Sequence, residues 1–273
     1  MATYYGTKGQ KIQVFASDPS NLTEGQVWYN SISRTLKVYK SFTNAWSTGE
    51  NLATARRQLA GAGTQTAGLA FGGTIPPVTA ATEEYDGSTW TAGGNLGTAR
   101  SQLAGAGTQT AGLAFGGTPP TTAATEEYDG STWTAGGNMG TARRNLAGCG
   151  TQTAGLAFGG TIPPDTGATE EYDGSTWTAG GNLGAIRTQL AGCGTQTAGL
   201  AFGGNAPQPT GETEKYDGTS WTAAASLNTA RRYLGGVGTQ TAGLAFGGGL
   251  PATAATEEFN GGTVLVVSTI AQT

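Results

Sequence analysis

The stretch Gly63-Thr64-Gln65-Thr66-Ala67-Gly68-Leu69-Ala70-Phe71-Gly72-Gly73 decides the fold, because the chain contains it five times. The copies begin at Gly63, Gly107, Gly150, Gly194 and Gly238, at spacings of 44, 43, 44 and 44 residues. A period of this size marks a solenoid or a propeller, in which each repeat is one supersecondary unit that buries its apolar face only against its neighbours. Residues 52 to about 260 therefore read as five copies of one unit.

Four short strands fit within the unit. In the first copy, a strand from Arg56 to about Gly63 ends in a turn at Thr64-Gln65. The second, Ala67 to Phe71, closes on Gly72-Gly73, and a loop carrying Pro76 and Pro77 leads to a third from Ala81 to Tyr85. Asp86-Gly87 is a hairpin signal, and Thr89-Trp90-Thr91 supplies the fourth strand. Glycine recurs every few residues and apolar residues come in short runs or alternate, which excludes helices. The two inner strands are rich in Gly and Ala, as suits close packing near a crowded axis. An all-β, five-bladed propeller is the expected architecture.

Composition narrows the function. The 273 residues include 48 Gly, 12% charged residues and no His, with a formal charge of −4. Evenly spaced Trp, Tyr, Leu and Phe separate this chain from a disordered low-complexity one. Its arginines are spread one or two per repeat, so no basic stripe is available for phosphates and no nucleic-acid partner is expected. The lack of His removes the usual general base and the commonest zinc ligand. No apolar run of membrane-spanning length and no signal-peptide core is present, so neither membrane insertion nor secretion is expected. Cys149 and Cys193 stand where the other copies have Ala62, Ala106 and Val237, which predicts free buried thiols at a small apolar core position.

A Gly-Gly pair ending the second strand, a Tyr in the third and a Trp in the fourth recur as Gly72-Gly73, Tyr85, Trp90 and as Gly116-Gly117, Tyr128, Trp133. They recur again as Gly159-Gly160, Tyr172, Trp177 and Gly203-Gly204, Tyr216, Trp221. This pattern resembles the kelch repeat over about four fifths of the chain, in a form shorter than the typical kelch period of about 50 residues. No Trp-Asp or Gly-His pair relates it to WD40 repeats.

Two charged positions also repeat. Arg56, Arg100, Arg143, Arg187 and Arg231 open each first strand, and Glu83, Glu126, Glu170, Glu214 and Glu257 sit in each third strand. A ring of Arg–Glu pairs is expected, since guanidinium–carboxylate bonds tolerate partial burial. Five identical catalytic carboxylates would be odd in one enzyme. The position after each Glu is Glu in four copies but Lys215 in the fourth, which reads as unconstrained.

The ends carry the remaining expectations. Thr35-Leu36-Lys37-Val38-Tyr39 and Ala45-Trp46 mimic third and fourth strands, while no Trp follows Phe259. Trp46 is thus expected to supply the outer strand of the last blade, a Velcro closure. Six blades become possible if Val27-Trp28-Tyr29 and Val264–Val267 help to build another. Residues 1–34 are expected to form an N-terminal β-hairpin or anchoring segment and residues 35–273 the propeller. Glu24-Gly25-Gln26-Val27-Trp28-Tyr29-Asn30-Ser31 followed by Leu36-Lys37-Val38 resembles short modules of bacteriophage tail and other virion proteins.

That resemblance implies a virion-associated structural or adhesion protein, made in the host cytoplasm and residing in the virion. Its partners would be capsid or tail proteins and a host-surface glycan or protein, with Gln26, Trp28 and Tyr29 as anchoring residues. The loops between second and third strands differ among the copies, and variation on a rigid scaffold is where recognition resides. Pro76, Pro77, Pro119, Pro120, Pro163, Pro164, Pro207, Pro209 and Pro251 are the binding candidates there. The alternatives are a lectin-like propeller, with repeated Trp, Tyr, Asp and Thr making equivalent sugar sites, and a kelch protein-interaction scaffold. No catalytic or metal set is found, no cofactor is expected, and an enzyme is disfavoured.

Overall fold

Short β-prone runs separated by glycine turns become small sheets in the computed structural model, which describes residues 13–17, 19, 27–38, 49–249 and 251–261. The chain divides into two units, Met1–Thr48 and Gly49–Thr273. In the first, strand β1 (Gln13–Phe15) runs parallel to β2 (Val27–Asn30), and β2 pairs antiparallel with β3 (Thr35–Val38). The β2–β3 turn is held by Asn30, whose Oδ1 accepts from the N–H groups of Ile32 (3.1 Å) and Ser33 (2.9 Å).

The second unit is a five-bladed β-propeller built from antiparallel sheets, with no helix among the described residues. Blade one comprises β4 (Ala60–Thr64), β5 (Ala67–Phe71), β6 (Thr82–Tyr85) and β7 (Trp90–Ala92), in sequence order. Blades two, three and four repeat that order, and blade five has three strands among the described residues. The first strand starts at Ala60, later than the Arg56 expected, because Gln58 adopts a φ of +56° and leaves the extended region. At the Asp86-Gly87 turn only Gly87 takes positive φ (+95°); Asp86 instead accepts the N–H groups of Ser88 (2.8 Å) and Thr89 (2.7 Å) on Oδ1.

The core lies between blades. Three clusters join the second strand of one blade to the third and fourth strands of the next, as with Leu69, Phe71, Tyr128 and Trp133, and the last reaches only the third, at Phe259. Phe71, Phe115 and Phe158 meet Trp133, Trp177 and Trp221 of the following blade at centroid distances of 4.9–5.0 Å. The indole N–H of Trp133 then donates back to Thr82 Oγ1 at 2.9 Å. Glycine makes the close approach possible: a Cβ at Gly148 would lie 2.3 Å from Phe115 Cζ. Cys149 and Cys193 are free and buried, as expected.

A polar latch crosses the same interfaces. The Tyr128 hydroxyl donates to Glu84 of the preceding blade, and Tyr172 and Tyr216 do the same to Glu127 and Glu171. The second Glu is therefore constrained, contrary to the sequence reading. At the next interface both partners change together: Phe259 replaces Tyr, and Lys215 places its ammonium 5.3 Å from the Phe259 centroid while donating to Gly261 O at 3.3 Å. Gln109, Gln152, Gln196 and Gln240 add a further tie, each donating Nε2 to two carbonyls of the preceding blade.

The innermost strands touch in succession from Ala60–Thr64 round to Gly235–Thr239, and among the described residues no comparable contact joins the last to the first. Between blades four and five a cavity of about 300 Å³ lined by Phe202, Thr213 and Phe259 lies where other interfaces hold a Trp. The expected closing residues, Trp46 and Val264–Val267, lie outside the described residues.

The latch makes two predictions. Y128F should destabilise the fold by about 1.5–3 kcal/mol, since it leaves Glu84 without its hydroxyl donor. E84K/Y128F should recover about 1 kcal/mol or more of that loss by reproducing the Lys215–Phe259 contact, as a double-mutant cycle in urea reads directly. The second concerns pH. Burial first, and then the bond to Glu, pushes the hydroxyls of Tyr128, Tyr172 and Tyr216 up to about 12. A raised folded-state value means the stabilisation is complete below the unfolded value near 10 and is lost as pH rises through about 12. Melting temperature should fall across that window more steeply in the wild type than in a Tyr→Phe triple variant at these positions.

Candidate functional site

The site grows from the repeated Arg–Glu pair. All five expected pairs form, with Nη2 2.8–3.0 Å from the carboxylate. Arg143 shows the full arrangement: Nη1 donates to Ala168 O (2.7 Å) and Gly159 O (3.2 Å), and Nη2 donates to Glu170 Oε1. Glu170 Oε2 accepts the Gly140 N–H at 2.6 Å, on the segment arriving from the previous blade. Burial lowers the guanidinium pKa of Arg100, Arg143 and Arg187, and the partner carboxylate opposes the shift. These carboxylates are committed to structure. Among the described residues no three His, Cys, Asp or Glu side chains gather as a metal-binding group.

Two residues beyond each Arg, the chain enters the left-handed region. Gln58, Gln102, Asn145, Gln189 and Tyr233 have φ between 53° and 58°. The turn aims each N–H at the equivalent carbonyl one blade earlier: Gln102 to Gln58, Asn145 to Gln102, Gln189 to Asn145 and Tyr233 to Gln189, all at 2.9 Å. A run of main-chain hydrogen bonds thus passes round the axis from blade to blade. The side chains of these residues, with the leucines that follow (Leu59, Leu103, Leu146, Leu190, Leu234), line a cavity of about 560 Å³.

The Pro loops share this face. Arg57 bridges Thr74, Ser101 bridges Thr118, Arg144 bridges Thr161 and Thr188 bridges Asn205, so each loop stands beside the chain that enters the cavity wall. Pro76, Pro77, Pro119, Pro120, Pro163, Pro164, Pro207, Pro209 and Pro251 are all exposed. Several loops are tied to a neighbouring blade, as by Arg144 Nη1 to Thr121 Oγ1 (3.3 Å) and Arg232 Nη1 to Asn205 Oδ1 (3.2 Å). The structure therefore places the expected loop candidates on one face and adds an axial cavity that sequence reasoning missed.

The remaining candidates fare differently. Tyr128, Tyr172 and Tyr216 are fully buried, and the rings of Trp133, Trp177 and Trp221 lie tilted against them at 4.9 Å, so these tyrosines are packing residues. The turn aspartates are occupied by their own loops, and the backbone N–H of Thr132 leads the bonds that hold Asp129 down at about 2. In the N-terminal unit Trp28 is buried and Tyr29 half-buried, and Gln26 lies outside the described residues. Comparison with protein-family models and with curated proteins finds no match to this chain.

The strained turns generate a stability prediction. A non-glycine residue in the left-handed region costs roughly 1–2 kcal/mol, and glycine there is partly offset by its larger unfolded-state entropy. Q102G and Q189G should therefore leave the urea midpoint unchanged or raise stability by up to about 1 kcal/mol. A loss of that size would instead make the amides structural.

Proposed function

We propose that this chain is a non-enzymatic, kelch-like propeller of a bacteriophage virion, a structural or adhesion component that presents one face for docking or host-surface recognition. The observation carrying the recognition part is the division of labour between residues. The repeated Arg, Glu, Tyr, Trp and Gln side chains are engaged inside and between blades, whereas the exposed prolines vary on one face around the axial cavity. Variable loops on a rigid scaffold are the usual seat of binding. The kelch reading rests on the Gly-Gly, Tyr and Trp positions. The virion reading rests on the stretch Glu24-Gly25-Gln26-Val27-Trp28-Tyr29-Asn30-Ser31, with Gln26, Trp28 and Tyr29 as its anchoring candidates, and on its resemblance to phage tail modules.

Virion residence is tested by mass spectrometry and immunogold electron microscopy of particles purified from the host that makes the protein. It should co-purify at fixed stoichiometry with capsid or tail proteins. Recovery only from host cytosol, never from particles, would sink the reading.

A further inference from the structure

We propose that the axial cavity is a binding site for one hydroxyl-rich, disc-shaped ligand, a single pyranose of a glycan. The inference is independent of where the protein resides.

The first argument is the choice of residues. Wherever else the described residues of the second unit need positive φ they are glycines, and the chain has 48 glycines to draw on. At the five axial positions it places Gln58, Gln102, Asn145, Gln189 and Tyr233 instead, at φ values that favour glycine. The main-chain run of hydrogen bonds needs only the backbone of these residues. Something other than that backbone therefore retains the side chains.

The second argument is that the protein does not use the amides. Gln102 Oε1 and Gln189 Oε1 are buried without a hydrogen-bond partner. Among the described residues the Gln58 amide has a single contact, from Thr74 Oγ1 at 3.5 Å. Buried polar atoms are normally satisfied; Gln102 and Gln189 both line the cavity while leaving an acceptor shielded and unused, and rotation of the terminal amide would present it to a ligand.

The chemistry of the wall selects the ligand. Each amide offers both donors and an acceptor, which matches hydroxyl groups that do the same. The leucines between them, and the half-exposed ring of Tyr233, supply apolar surface for the C–H face of a sugar. An extended peptide fits less well. Four successive main-chain hydrogen bonds already join the axial residues from Gln58 to Tyr233, so the run presents no continuous strand edge for augmentation. Among the described residues Arg57 is the single charged side chain lining the cavity, too little for a phosphate cluster.

Saturation-transfer NMR on the full chain tests this with the methyl glycosides of glucose, galactose and N-acetylglucosamine at millimolar concentration, and with a proline-rich peptide as comparison. At least one glycoside should receive saturation, and Q102G/Q189G should weaken its binding by about tenfold or more without lowering the melting temperature. No transfer to any glycoside overturns the proposal. So does transfer that the double variant leaves unchanged, which puts the sugar elsewhere, or transfer to the peptide alone. If Q102G/Q189G fails to fold, Y233A provides the same comparison at the cavity wall.

Discussion

The rest of this propeller depends on a buried guanidinium bound to a buried carboxylate, repeated once per blade. Taking both charges out of water costs several kcal/mol, so the arrangement persists only where the remaining donors find acceptors. At Arg143 both terminal nitrogens do: one holds Glu170 and the other holds two backbone carbonyls. The carboxylate in turn fixes the chain arriving from the preceding blade through Gly140. The arginine backbone acts as well, since Arg143 O accepts the Gly117 N–H of the previous blade at 2.8 Å. One residue thus ties the third strand, the incoming connection and the neighbouring blade. The Nε of each clamp arginine is buried without a partner, so the clamp is not perfectly satisfied. Its value is better understood as geometric specification than as net stabilisation.

Once the clamp sets the blade spacing, the interface chemistry follows. A Phe ring presses on glycine in the next inner strand, a Trp closes over the Phe, and a Tyr–Glu latch covers the pair. Every member contacts another repeat, so a change on one side requires a change on the other. Lys215 and Phe259 illustrate this. A Glu facing Phe259 would lack a hydroxyl donor, whereas Lys215 gains both the ring face and the Gly261 carbonyl. The resulting contacts pass from blade to blade in one direction, as do the axial main-chain hydrogen bonds.

Most of this is legible in the repeat itself. Period and turn chemistry locate the strands, and the co-occurrence of Arg and Glu in every copy points to the clamp that forms. What the repeat conceals is equally particular. The second Glu reads as free because Lys215 breaks its pattern, although Phe259 breaks the Tyr pattern one repeat later and together they signal a pair. The first strand cannot start at Arg56 because Gln58 is left-handed, and nothing in a glutamine marks that conformation; a glycine there would have. The axial cavity escapes notice because its wall comes from five repeats, each contributing a residue that looks ordinary by itself.

Repetition is therefore a poor guide to binding in this fold. A recurring side chain is one that packing requires, within its own blade for Arg and across the interface for Tyr and Trp. Residues released from that requirement are free to differ, and they do so at the Pro loops and around the axis, where the copies read Gln, Gln, Asn, Gln and Tyr. Variation in the exposed loops costs the backbone nothing, so drift contributes to it alongside recognition. Drift accounts less well for the axis, where glycine would relieve backbone strain and is nowhere chosen. The combination of permitted variation and retained strain is what distinguishes the axial wall from the loops that surround it.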